Sequence, residues 1–355
     1  MSFHKKALYT DMTQNYLTPV EPMSHTRVKV RFRTGRGNVD RVTICYNGQK
    51  AIMRKDSFDD MFDYYAYHIR LTDEPIYYHF EVEAEDESCY YNRLGISKSE
   101  EARYDFILVP GFATPDWAKG AVVYQIYVDR FYNGDSSNDV VNDEYYYQGR
   151  PVKHAGHWND PVSRTDEGTF YGGDLQGIID KMDYLEGLGV EVLYLNPIFV
   201  SPSSHKYDIQ DYSHIDPHFG KIVNREECGL KDGYEQYRGI TTDRENLEAS
   251  DRLFARLVEE AHKRGMKVIL DGVFYCCGSW HRFMDKEGIY ANGDTCSIKG
   301  AYQDSNSPYR EYFQYKNPQD ANSYENWWGY EAYAKFNYEN SRKLYEYILS
   351  VAVKW

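Results

Sequence analysis

The hydrophobic period of this chain changes once, and that change decides what the chain can fold into. From residue 27 to 109 apolar residues recur at about every second position, whereas from 121 onward short apolar runs alternate with stripes of helical spacing. A period of two commits a segment to strands with one buried face; a period near 3.6 commits it to helices. In RVKVRFRT, 27 to 34, Val28, Val30 and Phe32 fall on one face and four basic residues on the other. RVTICYNG, YYAYHIRL, IYYHFEVEAE and RYDFILV follow, with NG and ED turn signals between them, which predicts an antiparallel β-sandwich. PGFATPDWAKG, 110 to 120, carries the proline and glycine of a linker.

Beyond the linker, AVVYQIYV (121 to 128), VEVLYLN (190 to 196) and MKVILDGV (266 to 273) are short, mostly apolar strands of the kind buried on both faces of a parallel sheet. Leu175, Ile178, Ile179, Met182 and Leu185 form a helical stripe before the second strand, with Asp174 as N-cap. Leu253, Phe254, Leu257, Val258 and Ala261 form another before the third, ended by Gly265. Two βαβ units follow, hence an α/β domain. Residues 274 to 339 are an aromatic, irregular excursion, and a last helix begins near Asn340. Three such strands fit a small doubly wound sheet or the first units of a (β/α)8 barrel. Periodicity does not decide between them.

Composition narrows the partners. A net charge of -14 excludes nucleic acid and an anionic membrane surface, which both repel an acidic protein. No run approaches the ~18 apolar residues of a membrane span, and the N-terminal segment lacks the apolar core of a signal peptide. The six cysteines, at 45, 89, 228, 276, 277 and 296, show no framework spacing, so reduced thiols and a cytoplasmic location are expected. The 36 tyrosines offer apolar faces with polar tips, suited to packing and to sugar rings alike.

Four stretches could carry chemistry. FYNGDSSNDV, 131 to 140, crowds the oxygen donors Asn133, Asp135, Asn138 and Asp139 just after a strand end. Ca²⁺ takes such ligands, and an Asx-rich turn has the same composition. NPIFVSPSSHKYD, 196 to 208, aims His205, Lys206, Tyr207 and Asp208 over the strand ends, where Tyr207 could stack on a sugar and Asp208 accept from its hydroxyls. DGVFYCCGSWH supplies Asp271, two thiols and His281, with Cys296 as a further thiol; its spacing matches no zinc finger or ribbon, which favours structural thiols. Trp327, Trp328 and Tyr330 offer an aromatic platform.

Singly these signals are weak; their order is specific. YQIYVDRFYNGD (124 to 135), FYGGDLQGI (170 to 178), GVEVLYLNPIFVSPSSHKYDIQDY (189 to 212), HIDPHFG (214 to 220), MKVILDGVF (266 to 274) and WWGYEAYAKFNYEN (327 to 340) resemble glycoside hydrolase family 13, the α-amylase family. The nearest likeness is to its neopullulanase, cyclomaltodextrinase and maltogenic amylase branch. The segment ending in YYNRLG resembles that branch's N-terminal starch-binding module, carbohydrate-binding module family 34. The resemblance implies a β-sandwich at 1–110, the first three units of a (β/α)8 barrel at 111–273, a protruding domain at 274–339 and a barrel helix beginning at 340–355.

The resemblance also implies an α-glucan ligand, a retaining hydrolysis of α-1,4 or α-1,6 glucosidic bonds, and a Ca²⁺ site formed by Asn133, Asp135, Asn138, Asp139, the Gly172 carbonyl and Asp174. Tyr207, Asp208, Asp271 and Cys276 are the implied substrate contacts. A homodimer through the N-terminal domain is left open. The chain departs from the family in two places. Where the family has Asp-x-Val-x-Asn-His, this chain has Asp271-Gly-Val273-Phe-Tyr275-Cys276, which puts a poor donor where a histidine would meet a sugar hydroxyl. It also contains no Gly-x-Arg-x-Asp string, so none of the family's catalytic carboxylates lies in residues 1 to 355. Two readings follow: the N-terminal part of an α-glucan hydrolase, or a non-catalytic glucan-binding or regulatory protein derived from one. The end of the sequence inside a helical pattern favours the first.

Overall fold

The strand Arg27–Gly35 buries Val28, Val30 and Phe32 and turns its basic residues outward, where Lys29 and Arg31 meet Asp56 at 2.7 and 3.2 Å. This alternation fixes the register of the sandwich, since a slip of one residue would bury the charges. The structure, a computed structural model, describes residues 3–85, 87–162, 166–225, 233–290 and 298–355. Its contacts divide the chain into two units, Met1–Gly120 and Ala121–Trp355. The contact division falls at Gly120, with residues 110–120 on the first unit's side of it. The 110–120 stretch stays with the first unit because Gly111 N–H donates to the Pro22 carbonyl, and Thr114 N–H and the Lys119 ammonium both reach Glu21.

The first unit has two antiparallel sheets. One orders Leu17–Thr18, Arg27–Gly35, Phe62–Arg70 and Arg54–Phe58; the other orders Gln49–Ile52, Arg41–Tyr46, Ile76–Ala84, Glu87–Asn92 and Gly95–Ser97, with Phe106–Leu108 also on Ile76–Ala84. Between them Phe32, Tyr78, Phe80 and Phe106 make a close aromatic core, the Phe32 and Phe80 centroids lying 4.6 Å apart.

In the second unit the strands Val123–Ile126, Val192–Leu195 and Lys267–Leu270 pair in parallel and in chain order, with Val123 opposite Val192 and Val192 opposite Lys267. The stripe read as one helix breaks into Leu175–Asp180 and Met182–Gly187 at Lys181, whose N–H faces three carbonyls of the preceding turn. Asp174 caps the first piece, accepting from Gly177 N–H at 2.6 Å. Asp243 caps Arg244–Lys263, and Ser341 caps Arg342–Lys354. A further helix, Glu235–Thr241, is too short to show a stripe in sequence. Among the described residues of 274–339, Phe283, Phe313, Tyr324 and Phe336 share a core with Leu193 and Leu195. No helix among the described residues is long and apolar enough to cross a membrane.

One buried ionic chain fixes the loops above the parallel strands. The Lys206 ammonium donates to Asp216 Oδ2 and to the Ser201 carbonyl, both at 2.7 Å. Asp216 Oδ1 lies 3.2 Å from His218 Nδ1, and His218 Nε2 lies 2.9 Å from Glu144 Oε1. All four side chains are buried. Burial alone would raise the Asp216 and Glu144 carboxyls, but Lys206 beside Asp216 and His218 beside both hold them below their ordinary values. Burial pulls His218 down, and the two carboxylates outweigh it and raise it. The depressed acids contribute stability that is present above their unfolded pKa and lost as pH falls. The raised histidine contributes stability that is present below its unfolded pKa and lost as pH rises through its folded value. The chain therefore contributes most between about pH 4.5 and 6.5. Lys206→Met, which keeps the stem and removes the charge, is expected to cost about 3–5 kcal/mol in urea unfolding by leaving Asp216 uncompensated. A loss below about 1 kcal/mol would show that water reaches these groups.

Candidate functional site

Asn196 N–H donates to the Ile126 carbonyl and Asp271 N–H to the Leu195 carbonyl, each at 3.0 Å, so the three parallel strands end in step. The loop after the second strand, held from beneath by Lys206, presents Tyr207 over those ends. The Tyr207 hydroxyl donates to Asp271 Oδ2 at 2.9 Å, which brings two of the sequence candidates together. Burial and the Asp271 charge raise the Tyr207 phenol, so it remains a donor at neutral pH. Tyr207 N–H donates to His205 Nδ1 at 3.0 Å. The neutral His205 ring then carries its proton on Nε2, which lies 3.2 Å from the Tyr333 hydroxyl and 3.4 Å from Glu167 Oε2. The contact from His205 holds the Glu167 carboxyl below its usual value. Glu167 and Tyr333 were not foreseen: they lie 38 residues before and 128 residues after His205, and Tyr333, although inside the 327–340 string, was not singled out within it. The result is a half-buried surface of aromatic faces and fixed donors and acceptors, the chemistry that holds a neutral polyol ring.

Two expected contacts are placed otherwise. Asp208 is buried, and its Oδ1 already accepts the hydroxyls of Ser201 and Ser203, so it braces the loop from inside instead of facing a ligand. Cys276 is wholly buried in the strand Cys276–Gly278, which pairs with Tyr330–Lys335, and burial pushes its thiol up to about 12. Cys277 and Gly278 are buried with Cys276, whereas Tyr275, just ahead of the strand, is 41% exposed. Tyr275 lies 5.6 Å from the Trp327 ring. Cys228 and Cys296 lie outside the described residues.

Beside Tyr275, Trp327 and Trp328 stack at 4.4 Å and 7°. Trp328 has φ +53° and Gly329 φ +86°, which places two left-handed residues at the tip of a hairpin. Asn-Gly is the usual choice there; a tryptophan takes this backbone at a conformational cost and leaves its ring 81% exposed.

The oxygen-rich loop meets the Gly172–Asp174 turn. Asp174 Oδ2 accepts from Asp135 N–H at 2.8 Å and from Asn138 Nδ2 at 3.2 Å, and Asn138 Nδ2 also reaches the Gly220 carbonyl at 3.0 Å. That amide orientation is therefore fixed, and it leaves buried Asn138 Oδ1 without a hydrogen-bond partner among the described residues. Burial raises the Asp139 and Asp174 carboxyls. Gly172, at φ +79°, has no room for a side chain, since a Cβ would lie 2.5 Å from Asn133 Nδ2 and from Asp139 Oδ1. Buried Asp129, which no motif singled out, accepts from the N–H groups of Tyr171 and Gly172 and so fixes this turn. Lys221 pairs with Asp135 at 2.5 Å.

The burial of the paired thiols has a direct chemical readout. At pH 8 in the native protein, iodoacetamide is expected to leave Cys276 and Cys277 unlabelled, and to label both once urea unfolds the chain. Native labelling at the rate of a free peptide thiol, read by peptide mass, would contradict the packing.

Comparisons with known proteins agree with this geometry. The profile of the alpha amylase catalytic domain matches residues 125–228 and 237–354, and that of the alpha amylase N-terminal Ig-like domain matches 1–109. An amylopullulanase of Thermoanaerobacter thermohydrosulfuricus is 39% identical over 238 residues, covering 62% of this chain and 14% of that protein. Neopullulanase 2 of Thermoactinomyces vulgaris is 34% identical over 272 residues, covering 72% of this chain and 39% of that one. The type III pullulan hydrolase of Thermococcus kodakarensis superposes with a TM-score of 0.57 at 25% identity, over 98% of this chain and 54% of that chain. The chain thus spans less than half the length of the two curated relatives.

Proposed function

The chain belongs to the α-amylase family, and on that premise we propose that it is the glucan-recognising part of a retaining α-glucan hydrolase acting on maltooligosaccharides, cyclodextrins or pullulan. The observation that carries the reading is the Tyr207–Asp271 pair at 2.9 Å. An aromatic face held upright by a carboxylate at a strand end can seat a pyranose ring, and Trp328, stacked on the Trp327 ring that lies against Tyr275, offers a second face. Asp271 is a positioning residue here, engaged by the tyrosine hydroxyl. Retaining hydrolysis requires two carboxylates ~5–5.5 Å apart across the scissile bond. Residues 1–355 contain no Gly-x-Arg-x-Asp string to supply the first of them. A non-catalytic glucan-binding protein is the second reading, favoured by the exposed Tyr275 and buried Cys276 at the positions of the family's asparagine and histidine. Unpaired Cys45, Cys89, Cys276 and Cys277 support a cytoplasmic setting.

Residues 1–355 are expected to bind maltotriose, quenching tryptophan fluorescence, and to release no reducing ends from pullulan, starch or cyclodextrins. Tyr207→Ala should weaken that fluorescence-detected binding roughly tenfold. Turnover that disappears in Asp271→Asn would overturn the non-catalytic assignment of this chain, and unchanged binding in Tyr207→Ala would overturn the assignment of the ring face.

We further propose Ca²⁺ at the oxygen-rich loop. Asn133, Asp135, Asn138, Asp139, the Gly172 carbonyl and Asp174 would hold it; when bound, the ion supplies positive charge to the acidic cluster. The orphaned Asn138 oxygen and the raised Asp139 and Asp174 carboxyls fit a hard cation. Ca²⁺ at a hundredfold excess over Kd is expected to stabilise the fold by about 2.7 kcal/mol. A melting temperature unmoved by EDTA, or an equal calcium shift in the Asp139→Ala, Asp174→Ala double variant, would contradict the site.

A further inference from the structure

The strand Arg27–Gly35 lies inside the first sheet, between Leu17–Thr18 and Phe62–Arg70, so its outward charges do not guard an edge. Those outward side chains are Arg27, Lys29, Arg31 and Arg33. Register adds more of the same sign. Arg27 stands directly opposite Arg70 and Lys29 opposite His68, while Arg31 and Arg54 flank Ala66 from its two sides. Like charges directly opposite one another destabilise a sheet. Within the strands Arg27–Gly35, Phe62–Arg70 and Arg54–Phe58 there are two carboxylates. Asp56 is shared by Lys29 and Arg31, and Asp63 is buried against Arg36 and Lys55.

The second sheet is arranged differently. There Arg41 stands opposite Glu83 and pairs with it at 2.5 Å, and Lys50 pairs with Glu81 at 2.8 Å. On the first sheet Arg27, Arg54 and Arg70 are exposed, and none has an ion-pair partner among the described residues. Arg33 lies over the Phe62 ring at 4.2 Å and Arg31 over the Tyr64 ring at 4.7 Å. A guanidinium stacked on a ring keeps its N–H edge available to a carboxylate.

Mixed signs, as on the second sheet, solvate a face without this repulsion. A face of one sign in a chain of net charge -14 therefore calls for an anionic partner. The length of that partner matters. A long polyanion feels the acidic chain as a whole, whereas a short segment within a Debye length, about 8 Å at physiological salt, meets mainly the patch. Outward side chains repeat at about 6.8 Å along a strand, and alternate carboxylates of an extended acidic peptide repeat at the same distance.

We propose that the outward face of Arg27–Gly35, Phe62–Arg70 and Arg54–Phe58 docks an extended acidic segment of a partner protein, its carboxylates meeting Arg27, Arg33, Arg54 and Arg70. The face belongs to the first unit and does not rest on the glucan reading.

The test uses dye-labelled octaglutamate as probe, titrated with residues 1–355 and read by fluorescence anisotropy at low and at physiological salt. Binding is expected at low salt and should weaken as salt rises. The double variant Arg27→Gln, Arg70→Gln should weaken it roughly tenfold, about threefold for each exposed contact. The same variant should melt at a higher temperature, because the opposed like charges are gone. Arg41→Gln, which removes a cation already paired with Glu83, should leave the affinity unchanged. No binding at low salt, or equal affinity in the double variant, would overturn the docking face. A lower melting temperature in that variant would assign the two arginines to the fold and overturn it as well. Tighter binding of an octathymidylate would overturn the choice of a carboxylate partner. Sedimentation showing a dimer in the unmodified chain and a monomer in the double variant would give the face to a second copy and overturn the acidic segment.

Discussion

The site depends on keeping four ionisable side chains away from water. Lys206, Asp216, His218 and Glu144 lie within 2.7–3.2 Å of one another in sequence along the chain of contacts, and none is open to solvent. Such a chain is costly to break, since removing any partner strands a charge in a medium that cannot solvate it. Its members come from the excursion after the first strand, the loop after the second and the segment that follows that loop. The backbone that carries Tyr207 is thereby tied to a residue more than sixty positions upstream, Glu144. Apolar packing alone would hold the loop near the sheet without fixing where its tyrosine points, because burial is not directional.

That fixed loop meets a second constraint, the burial of the strand Cys276–Gly278. Tyr275 stays exposed just ahead of a strand whose residues are all buried, so the departure from the family string is not an exchange of one sugar contact for another. It replaces a polar pair with an exposed ring and a buried thiol. The exposed ring lies against Trp327, which in turn stacks on Trp328. An aromatic surface continues from Tyr275 to the hairpin tip, and it is bought at the expense of a hydroxyl-directed donor. Trp328, at φ +53°, carries the last ring in solvent.

Much of the fold was legible because it rests on local rules. The period of two in 27–34, parallel strands within 121–128, 190–196 and 266–273, the N-cap at Asp174 and a last helix beginning near Asn340 appear as read; burial on both faces does not, since Val123–Ile126 is largely exposed and Lys267–Leu270 only partly buried. Tyr207 and Asp271 were legible as candidates for a similar reason: each sits at a fixed offset from a strand end. The break at Lys181 was not legible, since the apolar stripe runs through it without interruption. Nor was the boundary at Gly120, because a proline and glycine signal a turn without saying which neighbour the turn packs against.

The sequence by itself determined two hydrophobic grammars, a family and a set of residue types able to bind sugar or a hard cation. Tertiary structure decided which of those residues face outward. Asp208 and Tyr207 are neighbours in sequence, yet one is spent on Ser201 and Ser203 inside the loop and the other reaches Asp271 across the strand ends. Arg27 and Arg70 are 43 residues apart, and only the ladder of the first sheet sets them directly opposite. The physical reason is the same in both cases. Periodicity records which face of an element is apolar, whereas hydrogen-bond partners are set by distances between elements that no local pattern encodes.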